Sequence, residues 1–184
     1  MSLKERFLSS ALMAVIAHKS RPLPIRMYLT RKKFTRVTMP ARDKVKIGVV
    51  QMKIDLLDDG EKFAEKMYAL TSQAVEQGAQ LVVFPESSWM PILGILPPLR
   101  PLAEKGVALD VAVGELAPGG GMKIEDAYRA IAPAVNRIFE TTGNELASRF
   151  GIYLMLGSAI AVAEQARMYS TAYLFGPNGA VIGT

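Results

Sequence analysis

The sequence predicts an α/β fold preceded by a basic, helical N-terminal extension. Two apolar segments, residues 45–52 (VKIGVVQM) and 81–84 (LVVF), flank a stretch with the three-to-four spacing of an amphipathic helix, the pattern of a βαβ unit. A third apolar segment, residues 152–159 (IYLMLGSA), leads toward a hairpin with a Gly-Pro-Asn-Gly turn. Positive charge gathers ahead of the first strand. Residues 1–45 hold eleven Lys and Arg against Glu5 and Asp43, a net of +9; residues 46–184 hold eleven against fifteen Asp and Glu, a net of −4. The chain's overall +5 is thus a property of the extension, and it gives no reason to expect nucleic-acid binding by the domain that follows. The division expected from this is residues 1–44 for the extension and 45–184 for the domain.

Within the extension, Leu3, Phe7, Leu8, Ala11, Leu12, Val15 and Ile16 form one stripe at helical spacing. After His18 the chain passes Pro22 and Pro24 and turns strongly basic through Arg26, Arg31, Lys32, Lys33, Arg36 and Arg42. Three readings fit this pattern. The first is a helix packed on the domain or on a partner subunit, with the cations solvated. The second is contact with an anionic membrane surface through residues 1–36. The third is a targeting segment, so a cytoplasmic location is expected with membrane contact or targeting as alternatives. A spanning helix needs about 20 apolar residues, and no run of that length exists. No strand pattern precedes residue 45, so removing residues 1–42 is expected to leave the domain's fold intact.

The domain opens with the strand at 45–52, a loop at 53–59 and a helix at 60–77 that turns Phe63, Met67, Leu70, Ala74 and Val75 to one face. Residues 81–84 are continuously apolar, as in a strand buried on both faces of a sheet. Pro85 has no N–H for the ladder and ends the pairing. An apolar, proline-stiffened stretch from Trp89 to Leu99 follows, expected either to line a pocket mouth, with Trp89 and Met90 as substrate-binding candidates, or to pack as an ordinary loop. Residues 102–124 read as an insertion. Residues 125–140 read as a helix kinked or split at Pro133, separated by residues 141–143 from a short helix at 144–150 that Gly151 ends. The strand at 152–159 and the hairpin strands at 169–175 and 180–183 complete the chain.

Glu86 is the candidate catalytic residue. It is delivered at the carboxyl end of a buried strand, where open α/β folds place their ligand crevices. A carboxylate there is expected to be partly desolvated, the condition that suits a general base. Other chemistry is poorly represented. His18 is the sole histidine and there is no cysteine, so neither a Ser-His-Asp triad nor a thiolate metal site is available; no metal and no cofactor are expected. Gly119-Gly120-Gly121-Met122-Lys123 lacks the Gly-Lys-Ser/Thr of a phosphate loop and reads as a flexible loop. Ser87 and Ser88 have no base partner, and Ser158 lacks the glycine frame of a nucleophile elbow.

Four stretches in order, VKIGVVQM, LVVFPE, IYLMLGSA and YSTAYLFGPNGAVIG, give the chain from about residue 45 onward a resemblance to the nitrilase, or carbon-nitrogen hydrolase, superfamily. The resemblance implies an α-β-β-α sandwich, of which this chain carries the N-terminal portion. It also implies a Glu-Lys-Cys triad that hydrolyses non-peptide C–N bonds of an amide or nitrile. Only the Glu maps here, as Glu86; the resemblance puts the lysine just past Gly183-Thr184 and the cysteine further on. The 184 residues alone are therefore expected to be inactive. Ser170 stands where many relatives have an asparagine before Thr-Ala, which puts a turn-stabilising hydrogen bond in doubt. The resemblance also implies subunit pairing through outer helices, and a half-sandwich would expose apolar sheet surface. The partners expected are a small amide or nitrile, a second copy of the chain and, on one reading, a membrane surface; nucleic acid is not among them. The competing reading is a non-catalytic module acting through oligomerisation or membrane contact.

Overall fold

A computed structural model describes residues 3–38, 44–97, 99–108, 111–112, 123–162 and 167–184, with the side chains of residues 3–9 and 124 outside the description. The glycine-rich loop at 119–122, Arg42, and the side chains of Leu3, Phe7 and Leu8 therefore lie outside the described residues. Five strands form one sheet in sequence order: β1 (Ile47–Val49), β2 (Leu81–Val83), β3 (Tyr153–Val162), β4 (Met168–Phe175) and β5 (Val181–Gly183). The first three are parallel and the last two antiparallel. Helix α3 (Gly60–Glu76) makes the βαβ crossover expected between β1 and β2. The hairpin from β4 to β5 turns as expected at residues 176–179, closed by the Gly176 N–H donating to the Ala180 carbonyl at 2.8 Å.

The helices cover one face of the sheet. The row Gly48, Val82, Leu154 and Phe175 runs across β1 to β4 on that face, with Val82, Leu154 and Phe175 fully buried. Gly48 is required there, since a Cβ would lie 2.9 Å from the Ala74 Cβ of α3. The alternate row, Ile47, Leu81 and Tyr153, points the other way, as do Val49, Val83 and Met155. Val49 is 81% exposed and Ile47 54%. The strand at 81–84 is thus buried on one face, not two: Val82 and Phe84 are inside, and Leu81 and Val83 are only half covered. Among the described residues one helical and one sheet layer of the expected sandwich are present. Strand β1 is also shorter than the eight residues expected. Its ladder is bracketed by the Lys46 carbonyl accepting from the Gln80 N–H at 2.8 Å and by the Val50 N–H donating to the Val83 carbonyl at 2.9 Å.

In α3 the Asp59 side chain caps the first turn, accepting from the Lys62 N–H at 2.9 Å. Phe63, Met67, Thr71 and Val75 recur every fourth residue and are buried; Leu70 and Ala74 flank that stripe half-buried. The long C-terminal helix departs most from expectation. Residues Ile124–Phe150, following α4 (Leu99–Glu104), form one continuous helix, α5, through both Pro133 and Gly143. A proline inside a helix costs about 3 kcal/mol. Here Pro133 faces solvent while Ile131, Ala132, Ala134, Val135, Ile138 and Phe139 around it are buried. Each large side chain contributes roughly 1.5–3 kcal/mol by leaving water, so burial outweighs the proline. Gly143 is no breaker either: a Cβ there would collide with the ring of Phe175 on β4. Gly151, with φ of +69°, ends the helix as expected.

The extension is folded onto this layer. Helix α1 (Leu3–Lys19) buries Ile16, while Met13 and Val15 of its described part remain exposed. Helix α2 (Pro22–Thr30) packs against both α3 and α5, and its Ile25 and Leu29 are wholly buried. Gly60 opens α3 beneath it, where a Cβ would lie 2.8 Å from the Ile25 Cδ1. Beyond α2, the Val37 N–H donates to the Phe150 carbonyl at 2.7 Å, and the Tyr68 hydroxyl donates to the Lys33 carbonyl at 2.6 Å. The charge boundary near residue 44 is therefore not a packing boundary.

Candidate active site

Strand β2 ends as the sequence predicts, and the chain leaves the sheet through Pro85 into a turn at residues 86–89. Two devices set that turn. Ser87 takes a left-handed conformation, φ +58°, which costs an L-residue about 1–2 kcal/mol. In that pose its N–H donates to the Ser158 hydroxyl at 3.0 Å, and the next residue's Ser88 hydroxyl donates to the Leu156 carbonyl at 2.5 Å. Gly157, at φ +85°, lies where β3 shifts register against β4. A Cβ on Gly157 would run into the Pro85 carbonyl and the Ser88 hydroxyl, so only glycine lets the turn seat this closely.

Glu86 stands at the mouth of an open cleft of about 250 Å³, lined also by Ser87, Trp89, Tyr128, Ala159, Ile160, Met168, Tyr169 and Ser170. The carboxylate is exposed, not partly desolvated as expected, because the turn carries it beyond the buried end of β2. It accepts a hydrogen bond from the Ser170 hydroxyl of β4 at 3.3 Å. Ser170 in turn lies 2.9 Å from the Ser158 hydroxyl. Trp89 and Tyr128 meet edge to face at 5.3 Å and form an aromatic wall.

Of the two substrate-binding candidates, the structure brings Trp89 to the cleft. Met90 begins a 3-10 helix, Met90–Ile95, packs on the core and is not among the lining residues. Pro91 to Leu96 are buried, so this stretch is mostly core. His18 sits exposed at the end of α1 beside Arg21. A larger hollow of about 310 Å³ runs along the edge strand β1; it holds no carboxylate, and Glu86 does not line it. Sequence reasoning passed over Tyr128, and weighed Ser158 only as a nucleophile and Ser170 only as a departure from relatives. The glycine before Ser158, isolated within a strand, was a signal of close backbone approach.

The cleft, the strand-end carboxylate and the crossover that presents it describe an α/β domain with a candidate site at the carboxyl end of a parallel strand. The family model for carbon-nitrogen hydrolases matches residues 46–184, and the chain belongs to that family. No curated protein matches the chain.

Proposed function

We propose that this chain supplies the general base for hydrolysis of a non-peptide C–N bond, in an amide or a nitrile. The observation that carries the reading is Glu86: a carboxylate fixed by a strained turn at the end of β2, at the mouth of a cleft with an aromatic wall. By the family resemblance, a cysteine thiolate attacks the carbon, Glu86 takes and returns the proton, and a lysine stabilises the tetrahedral intermediate. With an amide, the amine leaves with the returned proton and a thioester remains; with a nitrile, the thioimidate first takes up water and loses ammonia to give that thioester. Water activated by Glu86 then releases the acid and frees the thiol. These 184 residues hold no cysteine, so the chain by itself turns nothing over. Trp89 would contact the substrate's apolar portion, with Met90 supporting it from behind.

Ammonia release from amide and nitrile panels tests this. The purified chain should release none. In an enzyme carrying this chain together with the lysine and cysteine, Glu86→Gln should lower turnover at least about a hundredfold, the scale of general-base loss. Ammonia release by the chain alone, or a near-normal rate for the variant, would overturn the reading.

A second reading, assembly with another copy of the chain, is favoured by the uncovered sheet face around Ile47, Val49 and Tyr153. Contact of residues 1–36 with an anionic membrane surface is favoured by exposed Leu23 and Met27 on α2, beside Arg26 and the flanking Arg21 and Arg31. No helix among the described residues is long and apolar enough to cross a membrane.

A further inference from the structure

We infer that Ser158 and Ser170 are positioning residues: together they form a one-way hydroxyl relay that runs from the Ser87 amide to the Glu86 carboxylate and holds it over the cleft. The inference rests on the reading of Glu86 as the base. Its physical content is a count of protons. Ser158 Oγ receives the Ser87 N–H at 3.0 Å, Ser170 Oγ lies 2.9 Å from Ser158 Oγ, and Glu86 Oε1 lies 3.3 Å from Ser170 Oγ.

Each hydroxyl carries one proton, and an ionised carboxylate only accepts. Were Ser170 to spend its proton on Ser158, its lone pairs would face the charged oxygen of Glu86. The favourable arrangement is the reverse. Ser170 donates to Glu86, Ser158 donates to Ser170, and the Ser87 N–H donates to Ser158. Every donor is used once and every oxygen in the line receives one bond. The line does not run backwards, because its far end is an amide N–H that has nothing to accept with. The set of bonds is complete with Glu86 as carboxylate, the form that a base needs.

Three separate elements are shaped to bring these groups together. Ser87 adopts its left-handed φ to aim the amide, Gly157 admits the turn, and the β3–β4 pairing sets Ser158 and Ser170 as diagonal neighbours on one face, since Ser158 pairs with Ala172 and Ile160 with Ser170. Ser158 is buried, whereas Glu86 is open to solvent. The relay thus connects a carboxylate that water would otherwise leave free to rotate with a rigid anchor inside the sheet.

The test is solution NMR on the chain itself, read at two places: hydrogen exchange of the Ser87 amide, and the separation of the two Hγ resonances of Glu86, which coincide when a side chain rotates freely. Ser170→Ala should merge the Glu86 Hγ signals while the Ser87 amide keeps its protection. Ser158→Ala should merge them as well and speed Ser87 exchange up to about tenfold, the equivalent of one lost hydrogen bond. Ser170→Thr, which keeps the hydroxyl on a strand that favours β-branched residues, should restore the separation. Glu86 Hγ signals that stay resolved in Ser170→Ala, or stay merged in a folded Ser170→Thr, would overturn the relay. These readouts need no turnover, so failure of the relay is distinguishable from failure of Glu86 as base, which the ammonia assay reports separately.

Discussion

Replacing Leu29 by Ala tests whether the N-terminal helices are part of the domain or an attachment to it. Leu29 is wholly buried between α2, α3 and α5, as is Ile25 one turn before it. Truncating a fully buried leucine removes its transfer free energy and leaves a cavity, together about 2–5 kcal/mol. A loss near 3 kcal/mol in a chain of this size lowers the melting temperature by about 6–12 °C. Trp89, the sole tryptophan, is 7% exposed and belongs to the same buried core. Thermal and urea melts followed by both far-ultraviolet circular dichroism and Trp89 fluorescence should therefore shift together, as one cooperative unit does. Met27→Ala, on the exposed side of the same helix, should stay within about 0.5 kcal/mol of the parent. A Trp89 transition that does not move in Leu29→Ala would show that α2 detaches independently, and the assignment of α2 to the core would fail.

Gly143→Ala separates two opposed effects: helix propensity alone favours Ala by about 1 kcal/mol, while collision with the Phe175 ring costs about 1–3 kcal/mol. Net destabilisation in urea is expected, and a more stable variant would refute the close contact between α5 and β4. Asp55 is held below the usual carboxylate range first by the Lys66 hydrogen bond and then by Lys53. A depressed acid stabilises the fold above its unfolded value and loses that contribution as pH falls through the lowered one. Asp55→Asn should accordingly cost at most about 1 kcal/mol at neutral pH and nothing at strongly acid pH, and a pH-independent difference would contradict the pairing. If the open sheet face drives self-association, Val49→Lys should lower the apparent mass in light scattering; a parent chain already monodisperse as a monomer would refute this.

The βαβ unit and the position of Glu86 at the end of β2 were legible because both are local: a run of apolar residues, a proline, a carboxylate. The helix through Pro133 and Gly143 was not, because both residues are breakers by local rule. What overrides the rule lies elsewhere in the chain, in the buried faces beside Pro133 and in the ring of Phe175 over Gly143. Charge drew a boundary near residue 44, yet Ile25 and Leu29 cross it, since exposed Arg26 sits between these buried aliphatics on one short helix. Trp89 was recognisable as a site candidate, being an aromatic close behind the acid. Met90 shared that position in sequence but turns onto the core. That Ser158 and Ser170 meet is not legible until the register of β3 on β4 is known.

That register carries one further consequence. Before the bulge Leu154 opposes Phe175 and Met155 opposes Leu174; after it Ser158 opposes Ala172 and Ala159 opposes Thr171. The single extra residue reverses the parity of the strand. Even-numbered positions face the helices up to Leu156, and odd-numbered ones do so from Ala159, so Ser158 and Ile160 emerge on the side of Ser170 and Glu86. Were β3 to keep the register of Leu154 and Met155 throughout, Ser158 would point beneath α5, a hydroxyl among aliphatics. Gly157 thus works as a frameshift in three dimensions. Deleting it would restore one register along β3 and leave Ser158 on the cleft side, but the turn through Pro85 and Ser88 would lose the glycine that admits it.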